Sequence, residues 1–183
     1  MDFASLDPML RENDDKYVLR VVVETPRGCR HKFAWEPDLK AFTLKQTLSS
    51  GLSWPYDYGF IPQTLGDDGD PLDILVLMDD GTFSGCVFEA RLLGGYIMTK
   101  NGVDNPRYIA ALTPKKEVSL STDGYDKIDD LPPALLNEIE TFLTTYSAEK
   151  GNEVRCTGRV GRKEALAQIC EKHEVWSSKQ KKK

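Results

Sequence analysis

The chain has 183 residues, 40% hydrophobic and 29% charged, a composition that suits one globular domain with a core of useful size. Its 24 basic and 29 acidic residues give a net charge of −5, which argues against a nucleic-acid partner. No apolar run approaches the roughly 18 residues of a membrane span, so no membrane partner is expected.

Residues 1–16 are polar and read as a flexible end, without the basic patch and apolar core of a signal peptide. Tyr17 to Glu24 is rich in β-branched residues and predicts a strand that stops at the turn Thr25-Pro26-Arg27-Gly28. His31 to Glu36 predicts the returning strand, and Ala41 to Leu44 a further short one. Ile74 to Met78 and Cys86 to Thr99 predict two more, with Gly94-Gly95 marking a bulge or bend in the second. Arg107 to Leu112 adds another. Pro132 and Pro133 then suit the start of a helix, in which Leu135, Leu136, Ile139, Phe142, Leu143 and Tyr146 form one apolar stripe before Gly151 ends it. Val154 to Val160 predicts a last strand. Arg162 to His173 predicts a second helix, with Ala165, Leu166, Ile169 and Cys170 inward. Many short strands and two helices imply a mainly β fold with α, built as a closed antiparallel barrel with helices packed outside. With no repeat or linker, residues 1–183 read as a single domain whose residues 176–183 form a flexible, lysine-rich end.

Cys29, Cys86, Cys156 and Cys170 are widely spaced, with no Cys-x-x-Cys pair, and read as thiols in a reducing compartment, the cytoplasm. The two histidines, His31 and His173, make no Ser-His-Asp set, and His173 falls near a predicted helix C-terminus. Gly158 to Lys163 lacks the Gly-Lys-Ser/Thr ending of a phosphate loop and reads as a basic turn. Any catalysis therefore rests on carboxylates and metals.

The carboxylates concentrate in one stretch. Asp67, Asp68, Asp70 and Asp73 fall in a Gly/Pro-rich loop directly before the run from Ile74. In an extended segment Asp68 and Asp70 share a face and Asp73 lies on the other, so convergence of the three requires a bend near Pro71. Carboxylates aimed at one point need a positive partner, and hard cations such as Mg²⁺ or Mn²⁺ prefer oxygen ligands. A solvated acidic turn is the alternative. An EF-hand is not: counted from Asp68, the sixth position is Asp73 rather than the required glycine, and a strand follows instead of a helix.

The pattern Asp68-Gly-Asp-Pro-Leu-Asp-Ile74, joined to Tyr56-Asp-Tyr-Gly-Phe-Ile-Pro62, resembles the signature of the soluble, Mg²⁺-dependent inorganic pyrophosphatases. The resemblance runs from about Val21 to about Gly161. It implies a closed, five-stranded OB-like barrel flanked by two α-helices, and cleavage of pyrophosphate, or a related phosphoanhydride, to phosphates. It also implies Mg²⁺ (or Mn²⁺) as cofactor and a homo-oligomer. By the same resemblance Asp68 and Asp73 are metal ligands, and Glu24 reaches a metal through water. Asp70 contacts metal and is the general base; Lys32, Tyr58, Arg107 and Tyr146 hold phosphate. Other positions depart from the family pattern. Ala34 replaces a glutamate, Gln46 an arginine, Trp54 a tyrosine and Ser147 a lysine. Lys100 and Asn105 stand where two further aspartates belong. Asn105 retains an amide oxygen as a metal ligand, and a one-residue slip would bring Asp104 in instead. These departures leave open a metal- and phosphate-binding relative with weak or no hydrolysis, or one acting on another phosphoanhydride.

Overall fold

A computed structural model describes residues 2–13, 16–113, 121–148 and 151–181. After a 3-10 turn at Phe3–Ser5 come β1 (Arg11–Asn13), β2 (Lys16–Thr25), β3 (His31–Glu36), β4 (Ala41–Thr47), β5 (Asp57–Ile61) and β6 (Leu72–Leu77). They are followed by β7 (Val87–Lys100), β8 (Val103–Asp104), β9 (Arg107–Leu112), α1 (Pro133–Ala148), β10 (Val154–Gly161) and α2 (Arg162–Gln180).

Strands β2, β5, β6, β9 and β7 are bonded in that order, and β7 closes back on β2, giving a five-stranded barrel. Four seams are antiparallel, whereas β6 and β9 run parallel because the long β7 turns the chain round between them. The sequence suggests an all-antiparallel barrel, and this one seam is the difference. The predicted bulge in β7 is present as a register shift between Leu92 and Gly94. There Gly94 has φ +153, and a Cβ would stand 2.4 Å from the Val160 carbonyl oxygen. Closure of β2 on β5 also demands a glycine: a Cβ at Gly59 would lie 1.9 Å from the Val22 carbonyl oxygen.

Strand alternation sorts side chains into two cores. Leu19, Val21, Ile61, Ile74, Val76, Ala90, Leu92, Tyr108 and Ala110 come from all five barrel strands and fill the inside, with Ala165 and Ile169 of α2 added. The opposite parity, including Tyr58, Leu75, Leu77, Tyr96 and Ile109, packs on Leu136, Ile139, Phe142, Leu143 and Tyr146, the stripe of α1. Asp73 and Arg107 belong to this outer parity, at one end of β6 and β9. Asp73 and Arg107 are therefore delivered to the outer face, beside α1.

Three sequence expectations are corrected. Residues 2–13 are not loose: Phe3 packs on Trp35 and Phe42 with ring centroids 4.9 and 5.3 Å away, and Gln63 N–H donates to the Ala4 carbonyl at 2.8 Å. Helix α2 runs on to Gln180, so His173 lies within it and accompanies Trp176 in a stacked pair. Gly158 to Gly161 is no turn but the end of β10, leading straight into α2. Residues 182 and 183 of the lysine-rich end lie outside the described residues.

Candidate active site

The loop between β5 and β6 makes its reversal at Gly66–Gly69, not at Pro71. Gly69 N–H donates to the Gly66 carbonyl at 3.1 Å, and Gly66 N–H to the Asp70 carbonyl at 2.7 Å. Gly69, at φ +92, accepts a backbone conformation that other residues rarely adopt. Asp68 Oδ1 takes the Asp70 N–H at 3.1 Å, which fixes the local turn. The result brings Asp68, Asp70 and Asp73 to one cavity of about 300 Å³, within the size range of small-molecule sites.

Glu24 and Lys32 from β2 and β3, Asn105 and Arg107 around the start of β9, and Tyr146 of α1 line the same cavity. Of the sequence-predicted site residues only Tyr58 stays behind the wall, fully buried. Its burial pushes the phenol well above its ordinary pKa. The β7–β8 pairing of Thr99 with Asp104 settles the register of the next loop. Asn105, not Asp104, turns in, anchored by its N–H to the Met98 carbonyl at 2.9 Å. Lys100, Ala34, Lys45 and Ser147 also line the cavity, whereas Gln46 and Trp54 do not. Sequence reasoning missed Ala4, Glu36 and Asn152, whose neighbours carry no motif.

Charge is distributed unevenly. Asp73 pairs with the buried Arg107 at 2.7 Å, and Asp68 accepts a hydrogen bond from Asn105 Nδ2 at 2.6 Å. Asp70 has neither partner; burial, then Asp68 and Asp73, raise its pKa. Glu24 accepts the Trp35 N–H at 2.8 Å, yet burial pushes its carboxyl up to about 8. Opposite, Lys32 Nζ lies 5.3, 5.5 and 5.9 Å from the ring centroids of Tyr58, Tyr146 and Trp54. Burial opposes its charge, but Tyr146 and Asp73 outweigh it and hold the ammonium pKa raised. Burial would likewise raise Tyr146, and the Lys32 and Arg107 cations instead bring it down to about 8.

Among the described residues no three carboxylate, imidazole or thiol groups already close around one point. The donors nonetheless suit a hard cation. Asp68, Asp70 and Asp73 share the cavity, and the amide oxygen of Asn105 is buried without a hydrogen-bond partner.

The model of the inorganic pyrophosphatase family matches residues 21–177. The chain belongs to that family. An inorganic pyrophosphatase from Haloferax volcanii is 41% identical over 141 residues, 75% of this chain and 76% of the relative. One from Thermus thermophilus is 37% identical over 155 residues, 83% and 86% of the two chains. The crystal structure of the inorganic pyrophosphatase from Thermus thermophilus superposes with a TM-score of 0.85 over 97% of this chain and 99% of that one, at 33% identity.

Proposed function

We infer that the protein hydrolyses inorganic pyrophosphate to two phosphates. The observation that carries this is the meeting of Asp68, Asp70 and Asp73 with Lys32, Arg107 and Tyr146 across a single cavity, in a chain of this family. Nothing in the site favours a non-hydrolysing protein or another phosphoanhydride as substrate.

Divalent-metal dependence is general in the family. Asp68, Asp70, Asp73 and the Asn105 amide oxygen would hold Mg²⁺ or Mn²⁺ here, with Glu24 reaching the ion through water. The metal supplies positive charge and lowers the pKa of attacking water. Asp70, exposed and in no ion pair among the described residues, accepts the proton as the water oxygen bonds to phosphorus. The bridging P–O bond breaks and its electron pair leaves with the second phosphate. Lys32, Arg107 and Tyr146 hold phosphate oxygens, with Tyr58 packed behind Lys32 to fix its place.

Free thiols at all four cysteines support a reducing compartment such as the cytoplasm. No helix among the described residues is long and apolar enough to cross a membrane. A homo-oligomer belongs to the same reading; sedimentation of the pure protein at monomer mass would reject it.

The test is phosphate release from pyrophosphate with Mg²⁺ and then Mn²⁺, beside an Asp70→Asn control. Release that needs metal and disappears in the variant supports the reading. Metal-independent release, or none from folded protein, overturns it.

A further inference from the structure

Among the described residues four cationic side chains line the cavity: Lys32, Lys45, Lys100 and Arg107. Three are already engaged. Arg107 pairs with Asp73 at 2.7 Å, Lys45 with Glu36 at 2.8 Å, and Lys32 stands over its three rings. Lys100 has no ion pair among the described residues. Its stem is fixed, because Lys100 is the last residue of β7 and pairs on one side with Val103 and on the other with Val154. It also borders a recess shared with Asn105, Arg107 and Ser147, and its charge reaches Asp70. A half-buried ammonium held at a cavity wall, within reach of Asp70 but in no ion pair with it, is matched by an anionic ligand.

We propose that Lys100 is a substrate-binding residue, whose ammonium takes an oxygen of one phosphate of pyrophosphate in the recess beside Asn105 and Ser147. This rests on the reading of the cavity as a pyrophosphate site. A side chain of the protein thus supplies one of the positive charges that the substrate needs.

The test is calorimetric binding of imidodiphosphate, an analogue with a P–N–P bridge, in Mg²⁺ to the wild-type protein and to K100Q and K100R. K100Q binds at least ~10-fold more weakly, the loss of one charge-assisted bond, while K100R stays within about threefold of wild type. A purely structural role for the long side chain would not follow charge in this way. Melting curves confirm that both variants are folded. Wild-type protein that does not bind the analogue, or K100Q that binds it as tightly as wild type, overturns the proposal. Hydrolysis of pyrophosphate by the wild-type protein is scored separately: if it is absent while the analogue binds in a Lys100-dependent way, the reaction fails and the binding role stands.

Discussion

The wall formed by Asp68, Asp70 and Asp73 and the wall formed by Lys32 with its rings face the same cavity, but their charges are balanced differently. Lys32 is matched from within the chain: Tyr58, Tyr146 and Trp54 surround it, and Tyr146 is drawn down to about 8 in return. On the acidic wall Asp73 has Arg107 and Asp68 has Asn105, but Asp70 has no ion pair among the described residues, and burial with two like charges outweighs the pull of Lys32 and Lys100. One wall holds its cation in place in the free protein. The other leaves Asp70 unpaired, so the proposed metal would come from solution. This division suits a substrate that arrives as a polyanion beside a divalent metal, because neither component is bound tightly by the wrong wall.

The sharpest way to break the comparison is at Asp70, the carboxylate with least support. Asp70→Asn keeps the shape and removes the proton acceptor, so phosphate release falls about 10²- to 10⁴-fold, the usual yield of a placed general base. Asp70 is exposed and its carboxylate accepts no hydrogen bond among the described residues, so the melting temperature stays within a few degrees. Turnover equal to wild type would remove the assigned role.

The opposite wall is tested through Lys32→Gln. Losing a charged hydrogen bond to phosphate lowers kcat/KM by about 10- to 100-fold. The same change takes away the cation that lowers Tyr146 most, so the tyrosine that titrates at about 8 moves upward. Ultraviolet absorbance of tyrosinate against pH reads this directly. A titration that does not move would mean that the two residues are not coupled.

What the sequence makes legible follows from the same division. The acidic wall is local: the six residues from Asp68 to Asp73 hold its aspartates, and Gly69 with its neighbours forces the reversal that brings them together. The barrel strands with β-branched runs and the α1 stripe are equally plain. The cationic wall is not local. Lys32, Trp54, Tyr58 and Tyr146 are spread over more than half the chain, and only resemblance to a family joins them. Strand β5 hides as well, because all five of its residues are buried on both faces and no alternation marks it. The end of α2 is missed since residues after His173 show no apolar stripe. Yet this helix supports the acidic loop: Lys172 bonds Asp67 at 2.7 Å, and His173 Nδ1 lies 2.7 Å from the Gln63 carbonyl oxygen. The N-terminal turn is missed for a related reason, since Phe3 finds Trp35 and Phe42 only through tertiary packing.

Removing metal separates the walls by pH. Glu24 has a folded pKa of about 8 against an ordinary 4.5, so the folded state holds its proton more tightly than the unfolded chain does. The stability this represents is fully present below about 4.5 and is lost as pH rises through 8. Asp70, also raised, adds in the same sense. Chelated protein therefore melts several degrees lower at pH 8 than at pH 5, and Mg²⁺ restores more of the loss at pH 8. Glu24→Gln flattens the metal-free profile. A metal-free melting temperature that rises over this range would contradict the assignment, since it requires carboxylates stabilised rather than penalised by folding.

The smallest expected effect is also the most discriminating, because Asn105 stands at the boundary between the walls. Its Nδ2 donates to Asp68 at 2.6 Å, while its Oδ1 is buried without a partner. Asn105→Asp exchanges that donor for a second carboxylate at hydrogen-bond distance from Asp68. Without metal the two repel, and the melting temperature falls by a few degrees, because a like-charge contact replaces a charge-assisted bond. With metal the sign reverses: a charged oxygen stands where a neutral amide oxygen stood, and Mn²⁺ binds on the order of tenfold more tightly. Opposite shifts in the chelated and metal-loaded protein place Asn105 at the ion. If both states are destabilised alike, its role is only to hold Asp68.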